Sequence, residues 1–152
     1  MRILIAFDGS RGAEAAVDAV LARPWPPGSE VRLVWVIELP VSAAALADPM
    51  ESSPEWARST LRALREAYER RMREVLARFR ARPEIPVSYE MRDPGVKRSL
   101  LAAVETWKPD LLVAGFQRVT TLGRVFLGSV THTLISRAPC HVLIVKVPPA
   151  DG

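Results

Sequence analysis

Apolar residues in this chain fall into short blocks separated by longer stretches with helical spacing. Arg2 to Phe7 is an isoleucine-rich apolar run that stops at Asp8-Gly9-Ser10, which predicts a buried strand followed by a turn. Ser10 is placed to cap a helix carrying Glu14 in its first turn and Ala13, Ala16, Val17, Val20 and Leu21 on one face. Arg23-Pro24 stops that helix, and Pro26-Pro27-Gly28 makes a turn. Val31 to Ile37 is a second buried strand. Leu39 to Ser53 has the small residues and prolines of a loop. Ser53 and Pro54 are placed as cap and first residue of a long helix reaching Arg80. Its apolar stripe is Leu61, Leu64, Tyr68, Met72, Val75, Leu76 and Phe79.

Pro86 to Met91 alternates apolar and polar residues and predicts a third strand. Asp93-Pro94 then caps and starts a helix with Leu100, Leu101, Val104 and Trp107 inward. Asp110 to Gly115 is a fourth strand, and Phe116 to Leu127 a loop. A last helix opens at Gly128-Ser129 and ends at Ala138-Pro139, and His141 to Val147 is the fifth strand. Strands alternating with helices imply an α/β fold, a parallel sheet with helices on both faces. The expected order is 3-2-1-4-5 in a single domain over residues 1–148, with a short tail at 149–152. In such a sheet, ligands bind beyond the carboxyl ends of the strands where the strand order reverses. That directs attention to Asp8, Val36 to Glu38, Asp93, and the stretch from Gly115 to Ser129.

Composition narrows the classes. The 152 residues are 49% hydrophobic, enough for a core without staples, and the lone cysteine, Cys140, excludes an internal disulfide. Cys140 therefore reads as a small apolar side chain. The Met1–Phe7 run is too short for a signal peptide, and no run reaches a membrane span of about 18 residues. The expectation is a soluble, cytoplasmic protein. The net charge of +4 comes mostly from arginine. Nine arginines lie between Arg58 and Arg82, against Glu66, Glu69 and Glu74. With the apolar stripe on the same helix and no nucleic-acid motif, they read as a solvated face with Glu–Arg pairs. His132 and His141 have no Cys, Asp or Glu partners at metal-ligand spacing, and no Ser-His-Asp arrangement is present.

Gly115 at a strand end, a loop, and Gly128-Ser129 at a helix start form a pattern suited to phosphate. A helix N-terminus offers free N–H groups and partial positive charge. Taken alone, Gly128-Ser129 is also an ordinary helix start. The wider chain carries more. Ile3-Leu4-Ile5-Ala6-Phe7-Asp8-Gly9-Ser10, Leu33-Val34-Trp35-Val36, Asp110-Leu111-Leu112-Val113-Ala114-Gly115, Leu127-Gly128-Ser129-Val130 and Ala138-Pro139-Cys140-His141-Val142-Leu143-Ile144-Val145 together resemble the universal stress protein family, in order and over essentially the whole chain.

The resemblance implies a Rossmann-like domain of the adenine nucleotide alpha-hydrolase type that binds ATP, with Mg2+, through G-x2-G-x9-G-(S/T). Asp8 would hydrogen-bond the ribose, and the Val36 backbone would meet adenine. Gly115 would approach the phosphates, which Gly128, Ser129, Val130 and Thr131 would hold. The family's first-strand proline is Ala6 here. The middle glycine of the pattern is Arg118, whose side chain either fills the phosphate path or pairs with a phosphate. The resemblance also implies a homodimer through the apolar edge strand His141 to Val147. A second reading is the same homodimer with its site closed by Arg118, acting through protein contacts alone. A receiver domain would share Asp8 and Lys146 but needs further acids beside Asp8, where Gly9 and Ser10 stand. Ser-Gly-Gly and His-Gly-His phosphate signatures are absent. The expectation is a binding module and not an enzyme, with slow ATP hydrolysis left open.

Overall fold

The computed structural model describes residues 1–36, 55–92, 95–117, 120–121, 124–125 and 128–147. The expected loop over 39–53, the Ser53-Pro54 helix start, Glu38, and the tail at 149–152 lie outside the described residues.

The apolar runs become a five-stranded parallel sheet: β1 (Arg2–Phe7), β2 (Glu30–Val36), β3 (Val87–Arg92), β4 (Leu111–Gln117) and β7 (His141–Val147). Their order is β3-β2-β1-β4-β7, as the sequence predicts. Register pairs Ile5 with Leu33 on one side and with Val113 on the other. Ile3, Leu4 and Ile5 are all fully buried, because the central strand is covered on both faces.

Period two divides each strand between two cores. Ile3, Ile5, Phe7, Val31, Leu33, Trp35, Leu111 and Val113 face α1 (Arg11–Leu21) and α2 (Glu55–Arg78). Leu4, Val34, Val36, Leu112 and Ala114 face α3 (Val96–Trp107) and α4 (Ser129–Arg137). Of the predicted stripe on α2, Met72 and Val75 are inaccessible, and Phe79 is buried in a short 3-10 turn (Phe79–Ala81) that ends the helix. Leu64 is half-buried, and Tyr68 and Leu76 pack against the same core. The arginines on α2 do more than solvate it. Arg71 and Arg78 each reach Glu14 of α1 at 2.6 Å, and Arg78 also pairs with Asp18.

Three boundaries depart from the sequence reading. The third helix opens at Val96 with Gly95 as its N-cap, not at Pro94 behind an Asp93 cap. Gly95 has φ 107°, a left-handed conformation that cannot belong to the helix. Asp93 and Pro94 themselves lie outside the described residues. β4 continues to Gln117, because Phe116 pairs with Lys146 and is buried. The expected loop from Phe116 to Leu127 also holds an antiparallel ribbon, β5 (Thr120–Thr121) with β6 (Arg124–Val125). Its β-branched residues favour extended pairing.

Candidate functional site

Helices α1, α3 and α4 begin at the carboxyl edge of the sheet, and they begin differently. The α1 start is closed by a side chain: Ser10 Oγ accepts from the Ala13 N–H at 3.1 Å. The Asp8 carboxylate, one turn earlier, accepts from the Ser10 N–H at 2.9 Å. Gly9 between them has φ 78°, which a residue with a side chain rarely adopts. Asp8 is thus held at the rim by a local turn and remains exposed. By contrast, Gly95 and Gly128, the N-caps of α3 and α4, supply no side-chain hydrogen bond. Glycine cannot cap the first-turn amides of these helices with a side chain.

Between these helix starts lies a cleft of about 180 Å3. It sits where β1 and β4 adjoin, the point at which the strand order reverses. Asp8, Val36, Gly115, Val130 and Thr131 all line it, so five of the sequence-predicted residues come together. Val36 runs one residue past the β1–β2 ladder, which ends at Phe7 and Trp35. Thr131 is buried, whereas Ser129 is exposed at the helix start. Gly128 has open space around the position a Cβ would occupy. Arg118 lies outside the described residues.

Gly115 has a structural task that its place in the nucleotide pattern does not reveal. A Cβ there would fall within the backbone carbonyl of Gly12, and a Cβ on Gly12 would sit 3.1 Å from the Gly115 carbonyl carbon. The two glycines let α1 lie directly on β4. The phosphate role expected of Gly115 is therefore not needed to explain the residue.

Sequence reasoning passed over the aromatic wall of the cleft. Phe7, Trp35 and Tyr68 line it beside Ala13. Trp35 stacks on Tyr68 with centroids 4.6 Å apart and meets Phe7 edge-on at 5.2 Å. The available signal was position: Phe7 is the last residue of β1, and Trp35 the last but one of β2. His132 is exposed on α4. Cys140 packs against the α3/α4 core, where burial pushes its thiol above the ordinary range. Among the described residues no cluster of three or more His, Cys, Asp or Glu is arranged for a metal. Nor is any helix long and apolar enough to cross a membrane.

A doubly wound parallel sheet with a cleft at its reversal point, bounded by an acidic turn and two glycine-capped helix starts, defines an α/β domain of Rossmann type. The chain belongs to the universal stress protein family, whose sequence model matches residues 1–146. A universal stress protein of Thermus aquaticus is 29% identical over 148 residues, covering 95% of this chain and 97% of its own. The fold resembles that of the hypothetical protein MJ0577, with TM-score 0.78, 22% identity, and coverage of 98% and 97%. It also resembles a universal stress protein family protein of Arabidopsis thaliana with AMP bound, at TM-score 0.56, 16% identity, and coverage of 98% and 93%. A universal stress protein in complex with cAMP has TM-score 0.60, 18% identity, and 95% coverage of each chain.

Proposed function

We propose that the cleft binds an adenine nucleotide, specifically ATP with Mg2+, and that the protein is a homodimeric binding module. The observation that carries this reading is the arrangement of opposites around one cleft. Asp8 stands at one end to accept from sugar hydroxyls. The α4 start, with Gly128 unobstructed and Val130 and Thr131 lining the cavity, stands ready for phosphate. The AMP and cAMP held by two structural neighbours support the same ligand class. Among the described residues Asp8 is the one carboxylate lining the cleft, so Mg2+ would arrive with the phosphates and keep most of its waters.

Arg118 stands where the family's nucleotide pattern has glycine, and exchanging a glycine that would approach phosphate for arginine is expected to weaken nucleotide affinity. The second reading, a dimer acting without nucleotide, draws on the same replacement and on the apolar edge strand β7. Calorimetric titration of ATP into wild type and Asp8→Ala tests the first reading. Losing a hydrogen bond to a charged group is expected to weaken binding by about tenfold or more. Equal affinities would remove Asp8 from the site.

A further inference from the structure

We infer that Trp35 and Tyr68 form a prop beneath the Asp8-Gly9-Ser10 turn, fixing the carboxylate that reads the sugar of the ligand; the sugar role rests on the nucleotide reading above. The Asp8 carboxylate is exposed, and the Ser10 N–H is its one hydrogen-bond donor among the described residues. A single local bond leaves such a turn free to rock unless something packs against it. The indole of Trp35 does so. Its Cη2 and Cζ2 atoms lie 3.3 and 3.4 Å from the position a Gly9 Cβ would take. A side chain at residue 9 would meet the ring tightly, and the φ of 78° already disfavours one, so the turn lies against the ring.

The indole is itself held on two sides. Tyr68 stacks on it at 4.6 Å with an interplanar angle of 27°, and Phe7, which leads into Asp8, meets it at 74°. Trp35 is only 5% exposed, so the ring has little freedom to tilt. Tyr68 comes from α2, and α2 is tied to α1 by Arg71 and Arg78 gripping Glu14. Helix α1 starts where the turn ends. The turn is therefore continuous with β1 on one side and α1 on the other, with the aromatic stack beneath. Trp35 and Tyr68 act through Asp8 and are positioning residues. Ordering the carboxylate before the ligand arrives lowers the entropy cost of binding.

The experiment has two arms on Tyr68→Leu, which removes the stack, and Tyr68→Phe, which keeps it. In ligand-free protein, hydrogen exchange at the Ser10 and Ala13 amides is expected to quicken about tenfold in Tyr68→Leu. It should change far less in Tyr68→Phe, with the Val113 amide of the sheet unchanged in both. Titration with ATP and its 2′-deoxy and 3′-deoxy analogues supplies the second arm. The preference of wild type for ATP is expected to fall in Tyr68→Leu towards that of Asp8→Ala and to persist in Tyr68→Phe, a change that general loosening would not produce. Should Tyr68→Leu fail to fold, Trp35→Phe carries the same expectation, because it withdraws the ring edge from Gly9. Unchanged turn exchange, or an unchanged preference among the sugars, overturns the inference. If wild type takes up no nucleotide, the nucleotide reading fails and the sugar role with it, while the exchange arm still decides the prop.

Discussion

Two glycines that look alike in the sequence pattern have opposite duties. Gly115 is packed backbone to backbone against Gly12, and Gly128 faces open space. Gly115→Ala forces α1 off β4 and is expected to cost about 3 kcal/mol or more, or to prevent folding, as severe overpacking does. Urea denaturation measures it. Gly128→Ala is expected to change stability by about 1 kcal/mol or less, since its φ of −55° suits any residue, while lowering ATP affinity. A large loss of stability in Gly128→Ala, or none in Gly115→Ala, would contradict this division. The sequence made Asp8, Ser10 and Gly128 legible because turns and caps are set by neighbours in the chain. It hid the task of Gly115, because Gly12 is distant along the chain and only the sheet brings the two together. The aromatic wall was hidden likewise: Trp35 and Tyr68 each read as ordinary core, and their stack at the cleft is a tertiary fact.

Helix α2 holds to its neighbour through charge as well as through its apolar stripe. Glu14 is mostly buried, and both Arg71 and Arg78 reach it at 2.6 Å. Glu14→Gln keeps the shape and removes the charge. It is expected to lower stability by about 1 kcal/mol at low salt, with the difference shrinking as salt screens the pairs. A salt-independent difference would show that packing, not charge, is at work. Strand and helix existence was readable from period alone, whereas ends were not. The α3 start moved to Val96 because Gly95 adopts a left-handed φ, and β4 reached Gln117 because β7 offers partners to its end. The β5–β6 ribbon is only two residues on each side, too short to leave a periodic signal.

For the whole molecule, alternation of strands and helices conveyed the parallel sheet, and the family resemblance agreed with its order. The sheet has two edge strands, β3 beside β2 and β7 beside β4, and β7 is the more apolar. Its Val142, Leu143, Ile144 and Val145 are only half-buried in the single chain. Pairing of two β7 strands about a two-fold axis would satisfy both edges. Light scattering at micromolar concentration is expected to report about twice the 16.8 kDa chain mass, and a monomer would contradict the dimer. The nucleotide site is the central claim, and Arg118 is the departure from the glycine pattern G-x2-G-x9-G-(S/T). The most direct test is calorimetric titration of ATP with Mg2+ into wild type and Arg118→Gly at one salt concentration. The account predicts measurable binding by wild type and affinity about tenfold higher in Arg118→Gly, roughly 1.4 kcal/mol. Binding that weakens in the variant would contradict the unfavourable effect expected of Arg118, and no binding by either protein would contradict the nucleotide site itself.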